Sequence, residues 1–435
     1  MKITPFISLF LFLFPILITA QPLLSEADAV RIGLENNYDI RLVKKDLAIA
    51  ENNNSLGNAG FLPDVSLSAG QSYSINDSKQ EFLTGQLNDR KGARSDVFAA
   101  AAQLNWTLFD GLQMFRRYEI LNTLQQQSEL ELLLTVERNI FDILSNYYSL
   151  VQINEQVKVV KRTLEIDNER VLLTGQMLDI GAGSRLELLQ AEVDRNTDSA
   201  MLLNLNDQVA QLKTVINNLL GRDPGEAFLV ADSFAIKSNL VKEVLMHKML
   251  ENNTALRLSA QDEKLAQLSL KEIKGRQSPA LDFNLGYNFN DQSSEAGFLK
   301  TSRTNGLTYG VSARMNLFNG FNTRRQKQNA KILVESSQLR IESLENGLKT
   351  ELYQQYEAYT NSLQLLRMES QNVLAARENL SIAAERYQLG DMSGIEFRES
   401  QRNFVAAESR LLLARFQVKI SELSLMQLTG ELSID

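Results

Sequence analysis

The chain has 435 residues, with 45 Lys+Arg against 53 Asp+Glu for a formal charge of −8, 22 Gly, 6 Pro, one His and no Cys. Without Cys there are no disulfides, thiol nucleophiles, Cys-ligated zinc or iron–sulfur sites, and no lipid anchor attached through an N-terminal Cys. The lone His247 argues against a His-rich metal site or a Ser–His triad, the acidic balance argues against general nucleic-acid binding, and so few Pro favour long uninterrupted helices.

Residues 1–20 predict an export signal: Lys2, an apolar run from Phe6 to Ile18, and Ile18-Thr19-Ala20 before Gln21. That run is shorter than the roughly 20 residues a membrane-spanning helix needs. Export without Cys fits a bacterial periplasm or outer membrane. No later apolar run reaches spanning length, so any span has to be made of β-strands.

The mature chain reads as one unit written twice. Leu34-Glu35-Asn36-Asn37 recurs as Leu250-Glu251-Asn252-Asn253, an offset of 250 − 34 = 216; Pro63 then matches Pro279 and Gly70 matches Gly286. Leu108-Phe109-Asp110-Gly111 recurs as Leu317-Phe318-Asn319-Gly320, an offset of 317 − 108 = 209, which also relates Tyr147 to Tyr356, Gly181 to Gly390, Ser184 to Ser393 and Gly221 to Gly430. The predicted first repeat, 21–238, holds a helix, strands at 63–75 and 97–109, a long helix, a tip at 181–184 and a return helix. The second, 239–435, holds a helix, strands at 279–291 and 305–318, a long helix, a tip at 390–393 and a return helix.

Strands are expected where apolar and polar residues alternate. Val65, Leu67, Ala69 and Tyr73 oppose Ser66, Ser68 and Ser72; Leu104, Trp106 and Leu108 oppose Gln103, Asn105 and Thr107; Leu307, Tyr309 and Val311 oppose Thr308, Gly310 and Ser312. Runs of about ten residues suit a tilted transmembrane strand, and Tyr73, Trp106, Phe109, Phe289 and Phe318 near strand ends suit interfacial girdles. Four strands cannot close a barrel, and lipid tolerates no open sheet edge. Three chains pooling theirs would make a closed, water-filled barrel.

Two Pro-free stretches, from about Phe115 to Leu178 and from Phe321 to Leu389, predict helices of roughly 100 Å. Each ends in a Gly-x-x-Ser turn: Gly181 to Ser184, and Gly390 to Ser393. Gly after a helix and Ser at the next N-cap make an ordinary helical hairpin. Glu187 and Glu396, in the first turns of the return helices, complement the helix dipole.

In order and spacing, the twofold repeat, the Leu-Phe-Asp-Gly and Leu-Phe-Asn-Gly junctions and the two Gly-x-x-Ser tips resemble the TolC-like outer-membrane factor family. The resemblance covers essentially the whole mature chain. It implies an α+β membrane protein: a homotrimeric 12-stranded β-barrel, four strands per chain, continued into the periplasm by a long α-helical barrel of antiparallel coiled helices. It implies a passive exit duct for efflux or type I secretion, without cofactor, metal or catalytic residue. A periplasmic adaptor and an inner-membrane transporter would dock at tips carried by Gly181, Ser184, Gly390 and Ser393. Counted from the tip, the family's gate acids fall on Glu396 and Glu399, its gate tyrosine on Tyr387 and the tyrosine's acidic partner on Glu187. Three copies of Glu396 and Glu399 would form a carboxylate ring that attracts cations. The basic residue expected two positions past the tip Gly is Met392 here, so the family's Arg bridge is missing at that position.

Two other classes compete. A non-pore periplasmic coiled-coil scaffold would have strands polar on both faces, unlike these. An exported enzyme finds no Gly-x-x-x-x-Gly-Lys, His-Glu-x-x-His or Gly-x-Ser-x-Gly motif in the chain.

Overall fold

The computed structural model describes residues 22–296 and 299–432; the expected export signal lies outside them. In chain order the elements are β1 Leu23–Leu24, α1 Glu26–Asn36, α2 Tyr38–Asn53, α3 Leu56–Ala59, β2 Asp64–Glu81, β3 Leu87–Phe109, α4 Gln113–Asp179 and α5 Arg185–Leu219. Then follow β4 Leu229–Val230, α6 Lys242–Asn252, α7 Thr254–Gly275, β5 Ala280–Ser294, β6 Thr301–Arg314, α8 Asn322–Gln388 and α9 Gly394–Leu428. The fold is α+β and mostly helical. α4 and α8 have 67 residues each, and α5 and α9 have 35 each. The long helical hairpins of the two repeats are therefore identical in length.

Each repeat opens with two helices rather than one, followed in the first repeat by the short α3, and the break between the two falls on the second Asn of Leu-Glu-Asn-Asn. Asn37 ends α1 and caps α2: its side-chain oxygen accepts from the amides of Asp39 and Ile40, and its side-chain amide donates to the Leu219 carbonyl at 2.9 Å. Asn253 does the same between α6 and α7, accepting from the Leu256 amide and donating to the Leu428 carbonyl at 3.0 Å. Asn suits an N-cap because its short side chain satisfies amides that the first helical turn leaves free. Its second function here, closing the C-terminal end of the return helix, is tertiary. Just beyond, Gly221 takes φ +64°, and a Cβ there would lie 2.6 Å from the Asn36 carbonyl; Gly430 takes φ +68°, with Asn252 O at 2.9 Å. Only Gly meets both the left-handed backbone and the close approach.

The four long strands form one antiparallel sheet in the order β2-β3-β5-β6. Its register aligns the apolar sides of all four. Val65 pairs with Leu104, Leu104 with Leu285, and Leu285 with Tyr309; Leu67, Ala102, Tyr287 and Leu307 form the next such row. Between them lies the row Ser66, Gln103, Gly286, Thr308. Side chains directly opposite across a ladder share a face, so over these rows one face is apolar and the other small or polar; nearer the hairpin ends the first face carries Gln71, Asp291 and Arg303 around Phe98. β2 and β6 are left as open edges.

Several strand boundaries differ from the alternation pattern, most of them at the hairpin ends. β2 and β3 continue to Glu81 and back from Leu87, past the expected ends at 75 and 97. There both faces are polar and a bulge between Asn76 and Ser78 breaks the period, so no apolar face marks the extension. Conversely β6 stops at Arg314, which pairs with the first residue of β5, Ala280. Met315 to Phe318 still alternate but have no strand left to pair with.

Where strand becomes helix, Gly111 and Leu112 (φ 72° and 66°) and Gly320 and Phe321 (φ 67° and 62°) make two consecutive left-handed residues. Asp110 and Asn319 then cap the helices, accepting from the amides of Met114 and Thr323. This is what the paired Leu-Phe-Asp-Gly and Leu-Phe-Asn-Gly motifs encode.

The core sits midway along the helices in two large packed clusters, one built mainly on each repeat, with a smaller one of Val157, Val160 and Leu205 between α4 and α5. Ile140, Ile143, Tyr147, Leu150, Ile216 and Leu220 build the first, and Leu348, Leu352, Tyr359, Val418 and Leu425 the second. Tyr147 donates to the Leu24 carbonyl and Tyr356 to the Leu240 carbonyl, so each long helix clamps the segment that opens its own repeat.

Candidate functional site at the helical tips

At each tip the chain leaves a 67-residue helix through glycine in the left-handed region, Gly181 at φ +75° and Gly390 at +74°. The amides of Ala182 and Asp391 close back on the carbonyls of Met177 and Arg386 at 2.8 and 2.9 Å. This satisfies carbonyls that the last turn leaves free. Ser184 and Ser393 then cap α5 and α9, each in a reciprocal capping box with the Glu three residues on. A Cβ on Gly181 or Gly390 would meet nothing within 4 Å, so both tips are open to close approach from outside.

Glu187 and Glu396 are therefore capping residues first. The Ser184 amide donates to Glu187 at 3.3 Å, and the amide and hydroxyl of Ser393 donate to Glu396 at 3.0 and 2.8 Å. The Ser393 hydroxyl, with its amide, holds the Glu396 carboxyl below its ordinary value, so Glu396 is ionised at neutral pH. Glu396 and Glu399 are both exposed, three residues apart in the first turns of α9, and so on neighbouring positions of one helix face.

Tyr387 is half-buried and stacks on Phe397 with ring centroids 4.9 Å apart and planes 9° apart. It shares a cavity of about 230 Å³ with Glu187, Arg170, Ser184 and Gly394. Burial raises its phenol above the ordinary value; Arg170 opposes this and Glu187 adds to it. Among the described residues no hydrogen bond joins Tyr387 to Glu187, whose carboxylate faces its own cap. Met392 is partly buried, and the tip's cation is Arg386, bound to Asp391 by side chain and carbonyl.

One constellation escaped the sequence reading. Between Glu396 and Glu399, but turned inward, Arg398 is 12% exposed and lies against three aspartates of the first hairpin. It binds Asp198 through two bonds of 2.7 and 3.0 Å, with Asp167 and Asp194 both at 3.6 Å. Arg170 binds Asp194 at 2.5 Å, and Gln401 donates to Asp167 at 2.9 Å. Burial, reinforced by the Asp198 carboxylate, pushes the Asp167 carboxyl up to about 6. The signal was present as charges at helical spacing: Asp167 with Arg170, Asp194 with Asp198, Arg398 with Gln401. It was lost because such pairs usually mark a solvated face.

No described helix is long and apolar enough to cross a membrane, and no group of His, Asp or Glu among the described residues could hold a metal ion. A family model described as outer membrane efflux protein matches residues 30–222 and 245–431. The chain is 20% identical over 424 residues to the outer membrane efflux protein BepC of Brucella suis, covering 96% of this chain and 88% of that one. It is 19% identical over 382 residues to the outer membrane protein TolC of Vibrio cholerae, covering 86% and 83%. Its fold superposes on the CmeC outer membrane channel of Campylobacter jejuni with a TM-score of 0.76 at 16% identity, over 94% of this chain and 87% of that one. With both of its repeats matched, the chain belongs to the outer membrane efflux protein family: it is an outer-membrane efflux or secretion channel and not an enzyme.

Proposed function

We propose that three copies close their four-stranded sheets into one barrel through the outer membrane, and that the long helices continue it into the periplasm as a tube. The tips are its gated end, where a periplasmic adaptor and an inner-membrane transporter dock. The observation that carries this reading is the register of the sheet. Leu67 is 84% exposed, Tyr309 76% and Val65 70%, an apolar face that no part of the described chain covers. With β2 and β6 unpaired, such a sheet is stable in lipid only when other copies complete the wall. The opposite face, with Ser66, Gln103, Asn284, Asn288 and Thr308, then lines a wet lumen.

Support for a cation-attracting constriction comes from the exposure of Glu396 and Glu399 and from the ionised state of Glu396. Support for docking comes from the open glycines at 181 and 390 beside Ser184 and Ser393. The test is extraction from outer membranes followed by gel and bilayer measurements. The expected result is an oligomer three times the monomer mass that dissociates on heating and conducts ions in planar bilayers. A monomer that stays soluble without detergent overturns the reading. Replacing Glu396 and Glu399 by Gln lowers cation selectivity; unchanged selectivity removes these two residues from the constriction.

A further inference from the structure

We propose that Asp64, Asp282 and Arg314 form a charged collar at the helix end of an otherwise uncharged barrel lumen. Within it Arg314 is a selectivity-determining residue of the duct, its charge limiting the cation preference that the two carboxylates create. The proposal rests on the lumen reading above and deepens it. Charge in the sheet is sorted by face and by height. On the polar face, the rows through Gly286, Asn288, Asn290 and Gln292 cross all four strands, and none of their sixteen residues is charged. Opposite β5, the charges of that face are Asp64 beside Asn105, Asp282 between Thr107 and Ser312, and Arg314 beside Ala280. All three lie where the strands meet the long helices, within four residue steps or roughly 13 Å along the strands. The other charges over the same stretch, Asp96, Asp291 and Arg303, are on the opposite face at the hairpin end.

The two zones differ in chemistry. In the neutral wall the Asn288 amide donates to the Thr308 hydroxyl at 3.3 Å, and that hydroxyl donates to the Gly286 carbonyl at 3.2 Å. Amides and hydroxyls offer donors and acceptors alike, so they hydrogen-bond water and cargo of either charge without drawing one sign. In the collar, Asp282 accepts from the Thr107 hydroxyl at 2.9 Å, and its other oxygen lies 3.6 Å from Arg314. The Arg314 side chain is 81% exposed and makes no hydrogen bond among the described residues. A pair so exposed adds little to stability, so what Arg314 contributes is its charge. Each copy sets two carboxylates against one guanidinium, an excess of one negative charge.

Salt decides how far the collar acts. Strands about 4.8 Å apart and tilted about 40° close a barrel of twelve at a diameter of about 25 Å. At 0.1 M salt the field of a wall charge fades within about 10 Å, short of the axis, whereas at 0.01 M it reaches about 30 Å and fills the lumen. Collar selectivity therefore belongs to low salt. Carboxylates at a narrow constriction such as the tips stay within reach of every passing ion at both concentrations. The two contributions are separable by salt and by substitution.

The test is the reversal potential of the full-length protein in planar bilayers under a potassium chloride gradient near 0.01 M. It is measured in a Glu396→Gln, Glu399→Gln background, where those two tip carboxylates no longer contribute. Arg314→Gln doubles the collar's negative excess and raises the cation-to-anion permeability ratio about twofold. Asp64→Asn and Asp282→Asn each balance the collar and bring the ratio to about one. Asp282→Asn keeps the shape and the contact with Thr107, and Arg314 ends an edge strand, so both variants fold. All these differences fade at 0.1 M salt. Asn288→Asp, which puts a charge into the neutral wall, raises the ratio as Arg314→Gln does. If Asn288→Asp raises the ratio but Arg314→Gln leaves it unmoved, or shifts it in the same direction as Asp282→Asn, the collar is overturned and the lumen stands. If no variant moves the ratio, Asn288→Asp included, the polar face does not line the duct and both readings fall.

Discussion

The two ends of the helical hairpins follow different rules. At the end near the mid-helix cores the two repeats keep corresponding contacts. Asn37 and Asn253 close onto Leu219 and Leu428, Gly221 and Gly430 pass the Asn36 and Asn252 carbonyls, and Tyr147 and Tyr356 clamp Leu24 and Leu240. Toward the tips the copies diverge. At the 209-residue offset, Asp167, Arg170, Asp194 and Asp198 correspond to Ala376, Asn379, Asn403 and Ala407, and Arg398 corresponds to Leu189. Only one of the two repeat-related faces carries the buried charges. Duplication preserves what every copy needs in order to fold; the tip region is where one hairpin has become different from the other.

The sharpest way to break that contrast is at the diverged end. Arg398→Met leaves three partly or fully buried aspartates with Arg170 alone, and removal of one partner from a buried ionic cluster costs about 3–5 kcal/mol. Leu189→Met, at the corresponding place in the other repeat, falls on a residue that is 48% exposed and costs under about 0.5 kcal/mol. Thermal melting in detergent, followed by circular dichroism, measures both. Equal losses would mean that the tips are as symmetric as the rest.

The duplicated end predicts the opposite, equality. Gly221→Ala and Gly430→Ala each force a Cβ into a left-handed backbone against a carbonyl, for about 2–3 kcal/mol each. A pair of melting midpoints that differ by much more than their errors would show that one copy has drifted.

What could be read from the chain alone divides along the same line. The repeat, the strands and the helical tips were legible because each has a local signature: alternation of period two, Pro-free runs, Gly followed by Ser. Leu348, Leu352, Tyr356 and Tyr359 recur at helical intervals of four, four and three, and these residues build or pack against the second core cluster. The break at Asn37 was not legible, because an Asn inside a helical pattern looks ordinary until the Leu219 carbonyl arrives from a residue 182 positions away. The Arg398 cluster was hidden for the same reason. Its five charges come from three helices, and only packing turns separate, solvated-looking pairs into one buried group. Glu187 and Glu396 were legible as caps, because a capping box is written within four residues.

Smaller effects refine the comparison. Asn37→Ala and Asn253→Ala each lose a helix cap and one long-range hydrogen bond, for about 1–2 kcal/mol, again alike in the two repeats. Amide exchange should then quicken in the last turns of α5 for the first variant and of α9 for the second, since the freed carbonyls belong to Leu219 and Leu428. Faster exchange at the opposite helix would show that the two ends are coupled through the core rather than held separately.

The smallest effect tests whether the second hairpin hides a buried ionic joint of its own. α8 and α9 are joined by Arg377 to Glu408 at 2.7 Å and by Arg410 to Glu369 at 3.1 Å, with the arginines 60% and 52% exposed. Water reaches these guanidinium groups, so each pair contributes about 0.5–1 kcal/mol at most. Arg377→Met should lower the melting midpoint slightly, and the difference from wild type should shrink as salt rises, because exposed charges are screened over about 10 Å at 0.1 M ionic strength. The Arg398→Met loss, measured in the same salt series, should barely change, since its partners lie out of reach of the ions. If the Arg377 loss rivals that of Arg398 and resists salt, both hairpins carry buried ionic joints, and the asymmetry between the tips disappears.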